Sequence, residues 1–226
     1  MKYSTLIFDL DGTLLDTLGD LTDGVNHVLS RFCFKHRTEE EVRSFIGNGV
    51  PTLLRRALPE NCCEKTYADA IKLFGDYYKT NMMNRTEPYT GMRELLLHLA
   101  ENGAAIGVAS NKKDAAVKEL CGHYFGEVFY GERLKAALGT TTEDTRKPSP
   151  FLLREAMRIL GSDISRSVFI GDSDVDIETA RNAGMDVICV GWGYRSPDFL
   201  KSKGAERIAL TTDELLILLT KGAKGV

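Results

Sequence analysis

The chain has 226 residues, of which 43% are hydrophobic and 27% are charged, and its formal net charge is −3. This length suits one well-packed core with a smaller second domain or a large insertion, and the charge balance excludes a general affinity for nucleic acid. No apolar stretch approaches the roughly 20 residues that a membrane span needs. The start of the chain also lacks the basic and apolar pattern of a signal peptide, so we expect a cytoplasmic protein without nucleic-acid or membrane partners.

The cysteines argue for the same compartment. The chain has five of them and no Cys-x-x-Cys pair. An odd number without this pairing predicts reduced thiols and no disulfide framework. The histidines show no zinc-ligand spacing relative to the cysteines, which argues against a zinc site.

The first predicted element is a short strand that leads into two acids. Leu6, Ile7 and Phe8 are consecutive apolar residues, which is typical of a strand that is buried on both faces. Asp9 and Asp11 follow, and residues two apart in a strand point to the same side. Two such carboxylates repel each other unless a cation or a shared proton intervenes, and ligands with only oxygen atoms suit Mg²⁺. The pattern therefore indicates a magnesium site, with an ordinary polar Asp-Gly turn as the alternative.

Residues 17–85 show helical periodicity and no strand signal. Helices are predicted over residues 18–34, 39–45, 53–58 and 65–83. A loop rich in glycine, residues 45–51, separates the second helix from the third. We interpret this region as an all-helical domain that is inserted after the first strand, so that the core domain comprises residues 1–16 and 86–226.

From Gly91 onward, predicted helices and strands alternate. The predicted helices cover residues 92–102, 112–123, 150–160 and the stretch between Asp172 and Gly184. The predicted strands cover residues 104–109, 127–130, 167–170, 187–190 and 208–210, and residues 131–147 are expected to be irregular. This alternation favours a parallel sheet with helices on both faces. The predicted fold class is thus α/β, a doubly wound, Rossmann-like sheet core with an inserted all-helical cap domain.

Polar side chains follow several of these predicted strands. They form four clusters: Asp9 with Asp11, Ser110 with Asn111, Lys147 on a loop, and Asp172 with Asp174 and Asp176. In open α/β sheets the ligand site lies at the carboxyl ends of the strands, so we expect the clusters to meet there. A pocket with several carboxylates and one lysine suits Mg²⁺ and a phosphoryl group. An aspartate can attack phosphorus to give an aspartyl-phosphate, and Asp11 is placed to serve as the acid and base beside it.

The same clusters resemble, in order, the four motifs of a known family. Residues 9–17 resemble the first motif of the haloacid dehalogenase (HAD) superfamily, in particular of its phosphoglycolate phosphatase-like branch. Residues 108–112, 146–148 and 170–177 resemble the second, third and fourth motifs. The resemblance covers about residues 4–220 and implies a Mg²⁺-dependent phosphatase that acts on a small phosphorylated metabolite. The oligomeric state stays open between a monomer and a homodimer.

The resemblance also assigns roles to individual residues. It implies that Asp9 is the nucleophile, that Asp11 is the acid and base, and that Lys147 stabilises charge on the nucleophile and the phosphate. The implied metal ligands are Asp9, Asp11 through its backbone carbonyl, Asp172 and Asp176. The implied phosphate and substrate contacts are Ser110, Asn111, Gly12, Thr13, Asn48 and Gly49. Asp174 occupies a variable position of the fourth motif, so we place it next to the metal ligands and not among them.

By the same resemblance, the helical insertion is a cap over the site. Residues 46–58 resemble the segment that faces the substrate in that branch, and closure of such a cap would expel water and contact the part of the substrate beyond the phosphate. The alternatives are a plain turn between helices at Gly47 and Gly49 and a solvated helix face at Arg55 and Arg56.

Three other activities would use parts of this residue set. A sugar-phosphate mutase of the same superfamily, similar to β-phosphoglucomutase, shares the aspartyl-phosphate but returns the phosphoryl group to a sugar, and it is the main alternative. In a non-enzymatic signalling module of the receiver type, the aspartate that becomes phosphorylated lies on a middle strand. Asp9 follows the first strand, which argues against this alternative. A haloalkanoate dehalogenase would need neither Mg²⁺ nor the acid at Asp11, which argues against it.

Overall fold

The computed structural model describes residues 2–221, and the chain divides into two compact units. The first, called the core unit here, comprises residues up to Leu15 and from Pro88 onward. The second, called the helical unit, is Asp16–Glu87. Two short strands, β2 (Leu15–Asp16) and β3 (Glu87–Pro88), pair with each other where the chain passes between the units. In the described part of the chain, no helix combines the length and the hydropathy that crossing a membrane requires.

The core unit is built on a six-stranded sheet. In chain order its strands are β1 (Thr5–Phe8), β4 (Ala105–Lys113), β5 (Ala137–Thr140), β6 (Ser167–Gly171), β7 (Asp186–Val190) and β8 (Ile208–Ala209). Their spatial order is β5-β4-β1-β6-β7-β8, and all neighbours are parallel. The strand order reverses at β1, and ligands of open α/β sheets bind at such a reversal. The predicted Rossmann-like α/β fold is confirmed.

The strands form where the sequence has uninterrupted apolar runs. All four residues of β1 are buried, because a parallel sheet with helices on both faces has no solvent side. Ile7 and Phe169, on neighbouring strands, pack in one cluster with Leu152 and Leu153 of a flanking helix. Phe8 pairs with Val108 and with Ile170, so β1, β4 and β6 run in register toward the same edge of the sheet.

Six α-helices flank this sheet within residues 2–221. They are α5 (Met92–Glu101), α6 (Asp114–Tyr124), α7 (Phe151–Ile159), α8 (Asp174–Ala183), α9 (Pro197–Ser202) and α10 (Thr212–Lys221). The predicted helices lie within a few residues of α5, α6, α7 and α8, while α9 and α10 had no prediction. Gly184 follows α8 with φ +72°, the left-handed conformation of a helix end, as the pattern predicted.

Between α6 and α7 the prediction was wrong. Residues 127–130 form a turn, not a strand, and their apolar side chains Val128 and Phe129 are buried as packing. The strand is β5, in the stretch that we expected to be irregular. Its sequence, Ala-Leu-Gly-Thr, has little intrinsic strand preference, so pairing with β4 imposes the conformation. Strand β4 is correspondingly longer than predicted and includes Lys112 and Lys113, which we had assigned to a helix.

The helical unit contains α1 (Leu18–Arg31), α2 (Glu39–Phe45), α3 (Gly49–Ala57) and α4 (Glu64–Asn81). Gly24 of α1 lies against the ring of Phe74 in α4, so a Cβ there would be 2.7 Å from a ring carbon. The buried carboxylate of Asp20 accepts hydrogen bonds from the backbone N–H groups of Arg85 and Thr86 and from the Thr86 hydroxyl. Asp20 therefore fixes the end of this unit to its first helix.

Candidate active site

Three buried carboxylates from separate elements meet at the carboxyl edge of the sheet. Asp9 directly follows β1, Asp172 follows β6, and Asp176 lies in the first turn of α8. One carboxylate oxygen from each lies within 4.8 Å of the other two, and all three residues are buried. Such a group of oxygen ligands is what Mg²⁺ and other hard divalent cations require. The structure thus brings together three of the four residues predicted as metal ligands.

Lys147 connects two of these carboxylates. Its Nζ lies 2.9 Å from Oδ1 of Asp9 and 2.7 Å from Oδ1 of Asp176, and its side chain is 2% exposed. Asn111 holds the main chain of Lys147, because its Oδ1 accepts from the Lys147 N–H at 2.7 Å and its Nδ2 donates to the Lys147 carbonyl at 3.2 Å. The resemblance implies that Asn111 contacts the phosphoryl group, and in the structure its side chain also holds the main chain of Lys147.

Burial controls the electrostatics of the cluster. Removal from water raises the pKa of Asp9 to about 7, with the positive charge of Lys147 opposing the rise and Asp176 adding to it. Removal from water likewise raises the pKa of Asp172 to about 8, reinforced by Asp176 and Asp9. Burial alone would lower the pKa of Lys147, but the neighbouring carboxylates of Asp176 and Asp9 outweigh it and hold that pKa above its usual value. Lys147 is therefore an ammonium ion at neutral pH.

The loop after β7 holds Asp172 in place. The backbone N–H of Tyr194 donates to Oδ2 of Asp172 at 2.7 Å, and the Thr13 hydroxyl donates to Oδ1 at 3.4 Å. A Cβ on Gly193 would lie 2.3 Å from the Cβ of Asp172 and 2.3 Å from the Gly12 carbonyl oxygen, so only glycine fits at position 193. Gly12 and Thr13, predicted to contact phosphate, thus lie beside a predicted metal ligand.

Sequence reasoning missed this loop, residues 191–194. The indole N–H of Trp192 donates to the Thr13 carbonyl at 3.1 Å, which connects the loop to the segment after Asp11. A signal was present, because two glycines flank the only tryptophan of the chain directly after a predicted strand. Glycine at such a position indicates close approach of the backbone to another group.

The start of α8 fixes Asp176. Ser173 caps the helix: its Oγ accepts from the Asp176 N–H at 3.3 Å and donates to Asp176 Oδ2 at 2.6 Å, and its own N–H donates to the same oxygen at 3.1 Å. The unpaired N–H groups of a helix start also favour negative charge. Gly171 allows this close approach, since a Cβ there would lie 2.4 Å from Cγ of Asp176.

A second buried lysine serves Asp11, and sequence reasoning missed it too. Nζ of Lys112 lies 2.9 Å and 3.2 Å from the two carboxylate oxygens of Asp11. With this residue the site contains four carboxylates and two ammonium groups. With all four carboxylates ionised, the site carries two uncompensated negative charges, which is the charge that one divalent cation would offset. Because uncompensated charge is costly to bury, the residues present fit a divalent metal.

The other predicted site residues lie in three places. Ser110 is buried in β4, and its Oγ accepts from the Lys112 N–H at 3.4 Å. Asp174 lies on α8 with Oδ1 3.9 Å from Nε of Arg195. Asn48 and Gly49 belong to the helical unit, where Asn48 precedes α3 and Gly49 begins it.

A parallel α/β sheet has gathered three buried acids and a buried lysine at its strand reversal, an arrangement that could hold a divalent cation beside a bound anion. Residues 6–190 match the family model described as Haloacid dehalogenase-like hydrolase. The match covers most of the chain, and the chain belongs to this family.

Several individual members of the family are similar to this chain over most of its length. The chain is 34% identical over 200 residues to a phosphoglycolate phosphatase of Mesorhizobium japonicum, covering 86% of this chain and 85% of the relative. It is 27% identical to a phosphoglycolate phosphatase of Aquifex aeolicus, and this match covers 93% of this chain and 98% of the relative. A crystal structure from Lactobacillus delbrueckii, described as a candidate phosphoglycolate phosphatase, superposes with a TM-score of 0.88 at 32% identity and covers 97% of this chain and 99% of that one.

A further neighbour concerns the alternative activity. A Bacteroides vulgatus structure described as a candidate β-phosphoglucomutase has a TM-score of 0.72 at 18% identity, covering 96% of this chain and 87% of that one. At this identity the likeness shows the shared fold and carries no information on mutase activity.

Proposed function

We propose that this protein is a Mg²⁺-dependent phosphatase that hydrolyses a small phosphomonoester, such as phosphoglycolate or a sugar phosphate, through an aspartyl-phosphate on Asp9. The observation that carries the proposal is the position of Asp9. Asp9 follows the strand at which the sheet order reverses, and its carboxylate contacts the ammonium group of Lys147. With Asp172 and Asp176 it forms a cluster whose carboxylate oxygens lie within 4.8 Å of one another, close enough to bind one metal ion. The curated relatives named phosphoglycolate phosphatase support the substrate class.

The contacts of Asp9 suggest which oxygen attacks. Oδ1 accepts from the Leu10 N–H at 2.7 Å and lies 2.9 Å from Lys147 Nζ. Both contacts are to the same atom, so we assign the attack on phosphorus to Oδ2. The new bond joins Oδ2 to phosphorus while the bond from phosphorus to the ester oxygen breaks. The positive charge of Lys147 offsets the charge that gathers on the nucleophile and the phosphoryl group.

Asp11 would then move protons in both halves of the reaction. It donates a proton to the departing ester oxygen, and afterwards takes one from the water that attacks phosphorus and releases Asp9. The Ser110 hydroxyl and neighbouring N–H groups would bind the phosphoryl oxygens. The two steps together return the enzyme to its starting form: the first releases the alcohol, and the second releases phosphate.

The carboxylates of Asp9, Asp172 and Asp176, with the main-chain carbonyl of Asp11, would hold the metal. When bound, Mg²⁺ would offset the negative charge of the carboxylates and of the phosphate and polarise the phosphoryl group. The buried carboxylates with raised pKa values fit this role, because a cation would stabilise their ionised forms.

We also propose that residues 17–85 form a cap, with residues 1–16 and 86–226 as the catalytic core domain. Asn48 and Gly49, at the start of α3, would contact the part of the substrate beyond the phosphate. The sequence resemblance and the separation of the chain into two compact units support this assignment. We place the enzyme in the cytoplasm, as a monomer or a homodimer.

A phosphate-release assay tests the proposal. The substrates are 2-phosphoglycolate, sugar phosphates, nucleotides and pyrophosphate, each measured with Mg²⁺ and with EDTA. We expect Mg²⁺-dependent hydrolysis of at least one small ester, and we expect Asp9→Asn to abolish it while the circular dichroism spectrum is retained. Asp198→Asn, at an exposed position of α9, is the matched control and should keep wild-type activity. Full activity of Asp9→Asn would contradict the proposal, and isomerisation of a sugar phosphate without phosphate release would favour the mutase.

A further inference from the structure

Strand β4 is irregular where it passes the active site. On its β5 side, Ser110 pairs with Gly139 and Lys113 pairs with Thr140. Two residues of β4, Asn111 and Lys112, therefore stand between consecutive residues of β5, which makes a β-bulge. Bulges redirect side chains and occur often next to active sites.

The two bulged residues contact two different parts of the site. Asn111 holds the main chain of Lys147, as described above. Lys112 extends to Asp11, with Nζ 2.9 Å from one carboxylate oxygen and 3.2 Å from the other. Contact with both oxygens restricts rotation of the carboxylate, which a single contact would not do.

This ion pair is unusually buried for a lysine and an aspartate. The side chains of Lys112 and Asp11 are 5% and 15% exposed, whereas those of Lys118 and Asp114, the next lysine–aspartate pair along the chain, are 35% and 28% exposed. Burial of an ion pair carries a desolvation cost that the attraction often fails to recover, so stability alone is a poor explanation for it. Within residues 2–221, the other ion pairs buried to this degree are those of Lys147 in the same site.

Strand β5 makes room for the bulge. A Cβ on Gly139 would lie 2.6 Å from the Lys112 carbonyl oxygen and 2.5 Å from Cα of Asp114. The Gly139 N–H also donates to Oδ1 of Asp114 at 3.0 Å, just after the bulge. The direction of Lys112 thus depends on a local backbone arrangement with its own supporting residue.

We propose that Lys112 is a positioning residue that holds the carboxylate of Asp11 in place as the base of the second half-reaction. This inference rests on the proposed function and deepens it. In that half-reaction a water oxygen bonds to phosphorus, the bond from phosphorus to Oδ2 of Asp9 breaks, and the water proton passes to Asp11. Lys112 contacts the carboxylate of Asp11 and would act on the reaction through that residue.

The consequence is a selective effect on one step. Formation of the aspartyl-phosphate from p-nitrophenyl phosphate needs little help from an acid, because p-nitrophenolate is a good leaving group. Breakdown of the aspartyl-phosphate still needs the base. Loss of Lys112 should therefore slow breakdown more than formation, and phosphoenzyme should accumulate.

The experiment compares wild type, Lys112→Met and Lys112→Arg with p-nitrophenyl phosphate and Mg²⁺. For Lys112→Met we expect kcat to fall by about 10- to 100-fold, a part of the roughly 10²- to 10⁴-fold that a positioned base supplies. We expect kcat/KM to change by less than about threefold, because it reports the earlier step. A burst of p-nitrophenol close to one equivalent per site, and phosphate retained on acid-quenched enzyme, should accompany the fall. Lys112→Arg keeps the charge and two donors and should recover most of kcat.

Lys113→Met is the matched control, since Lys113 is the next residue and is exposed. It should behave as wild type. Parallel losses of kcat and kcat/KM in Lys112→Met without a burst would overturn the assignment while leaving the phosphatase activity of the wild type intact. An inactive wild type would instead overturn the proposed function, and this assignment with it.

A second test serves if the single Lys112 variant fails to fold. It compares the single variant Asp11→Asn with the double variant Asp11→Asn/Lys112→Met. The double variant leaves no buried unpaired charge. If Lys112 acts through Asp11, the two variants should have the same kcat within about twofold. A further large loss in the double variant would show that Lys112 acts on something else, and would overturn the assignment.

Discussion

The metal-free protein should become less stable as the pH rises from about 5 to about 8. The pKa is raised to about 7 in Asp9 and to about 8 in Asp172, chiefly by burial. In the unfolded chain both groups return to about 3.9. The folded state therefore holds protons that the unfolded state has released. The stability that these protons contribute is fully present below about pH 4 and is lost as the pH rises through the two folded-state values.

The size of the effect follows from the number of protons. If the folded protein holds one to two more protons than the unfolded chain, its free energy of unfolding falls by about 1.4 to 2.7 kcal/mol per pH unit. This is a large fraction of the 5–15 kcal/mol, roughly, that holds an ordinary domain together. Bound Mg²⁺ should reduce the slope, because the cation takes over the compensation that the protons provide.

Urea unfolding in EDTA, at several pH values between about 5 and 8, measures the slope. A parallel series with Mg²⁺ gives the metal-bound reference. Asp172→Asn removes one of the two titrating groups and should flatten the EDTA series by about 1.4 kcal/mol per pH unit. A free energy of unfolding that is level or rising over this range in EDTA, and unaffected by Asp172→Asn, would refute the reasoning about buried carboxylates.

Two further predictions concern single contacts. Asp20→Ala should lower the free energy of unfolding by about 3 to 5 kcal/mol, because it leaves the buried donors at the end of the helical unit without their acceptor. Asp23→Ala, at an exposed ion pair of the same helix, is its control and should cost less than about 1 kcal/mol by urea unfolding; equal costs would contradict the role of Asp20. Gly171→Ala should displace the side chain of Asp176 and raise the Mg²⁺ concentration for half-maximal activity by about 10-fold, which is about 1.4 kcal/mol of metal binding. Gly122→Ala, where a Cβ meets nothing within 4 Å, should leave that concentration unchanged, and the same result for Gly171→Ala would count against the close packing of Asp176.

The parts of the fold that were predictable are those in which burial and sequence pattern agree. Strand β1 is the clearest case, since consecutive apolar residues have no other explanation in a sheet that is covered on both faces. Strand β5 was not predictable, because Gly139 and its neighbours have weak strand preference and adopt the conformation through pairing with β4. The opposite error at residues 127–130 has the same origin: Val128 and Phe129 are apolar because they are packed, not because they are paired.

The candidate site likewise contains residues that the sequence predicted and residues that it did not. Asp9, Lys147 and Asp172 stand in sequence patterns that resemble a known family, and the structure brings them together. Lys112 and Tyr194 were missed, since nothing local to either residue indicates its partner. Lys112 contacts Asp11 from the part of β4 where the register shifts, and Tyr194 contributes a backbone N–H, which every residue except proline has.

The two buried lysines of the site contact different carboxylates. Lys147 contacts Asp9 and Asp176, two of the three carboxylates that could bind a metal ion, whereas Lys112 contacts Asp11. Each ammonium group thus restricts a different set of carboxylates. In the proposed reaction the first set must hold a metal and a nucleophile still, while Asp11 must gain and lose a proton. Separate cationic partners allow the carboxylate that exchanges protons to be oriented without drawing the positive charge of Lys147 away from the nucleophile.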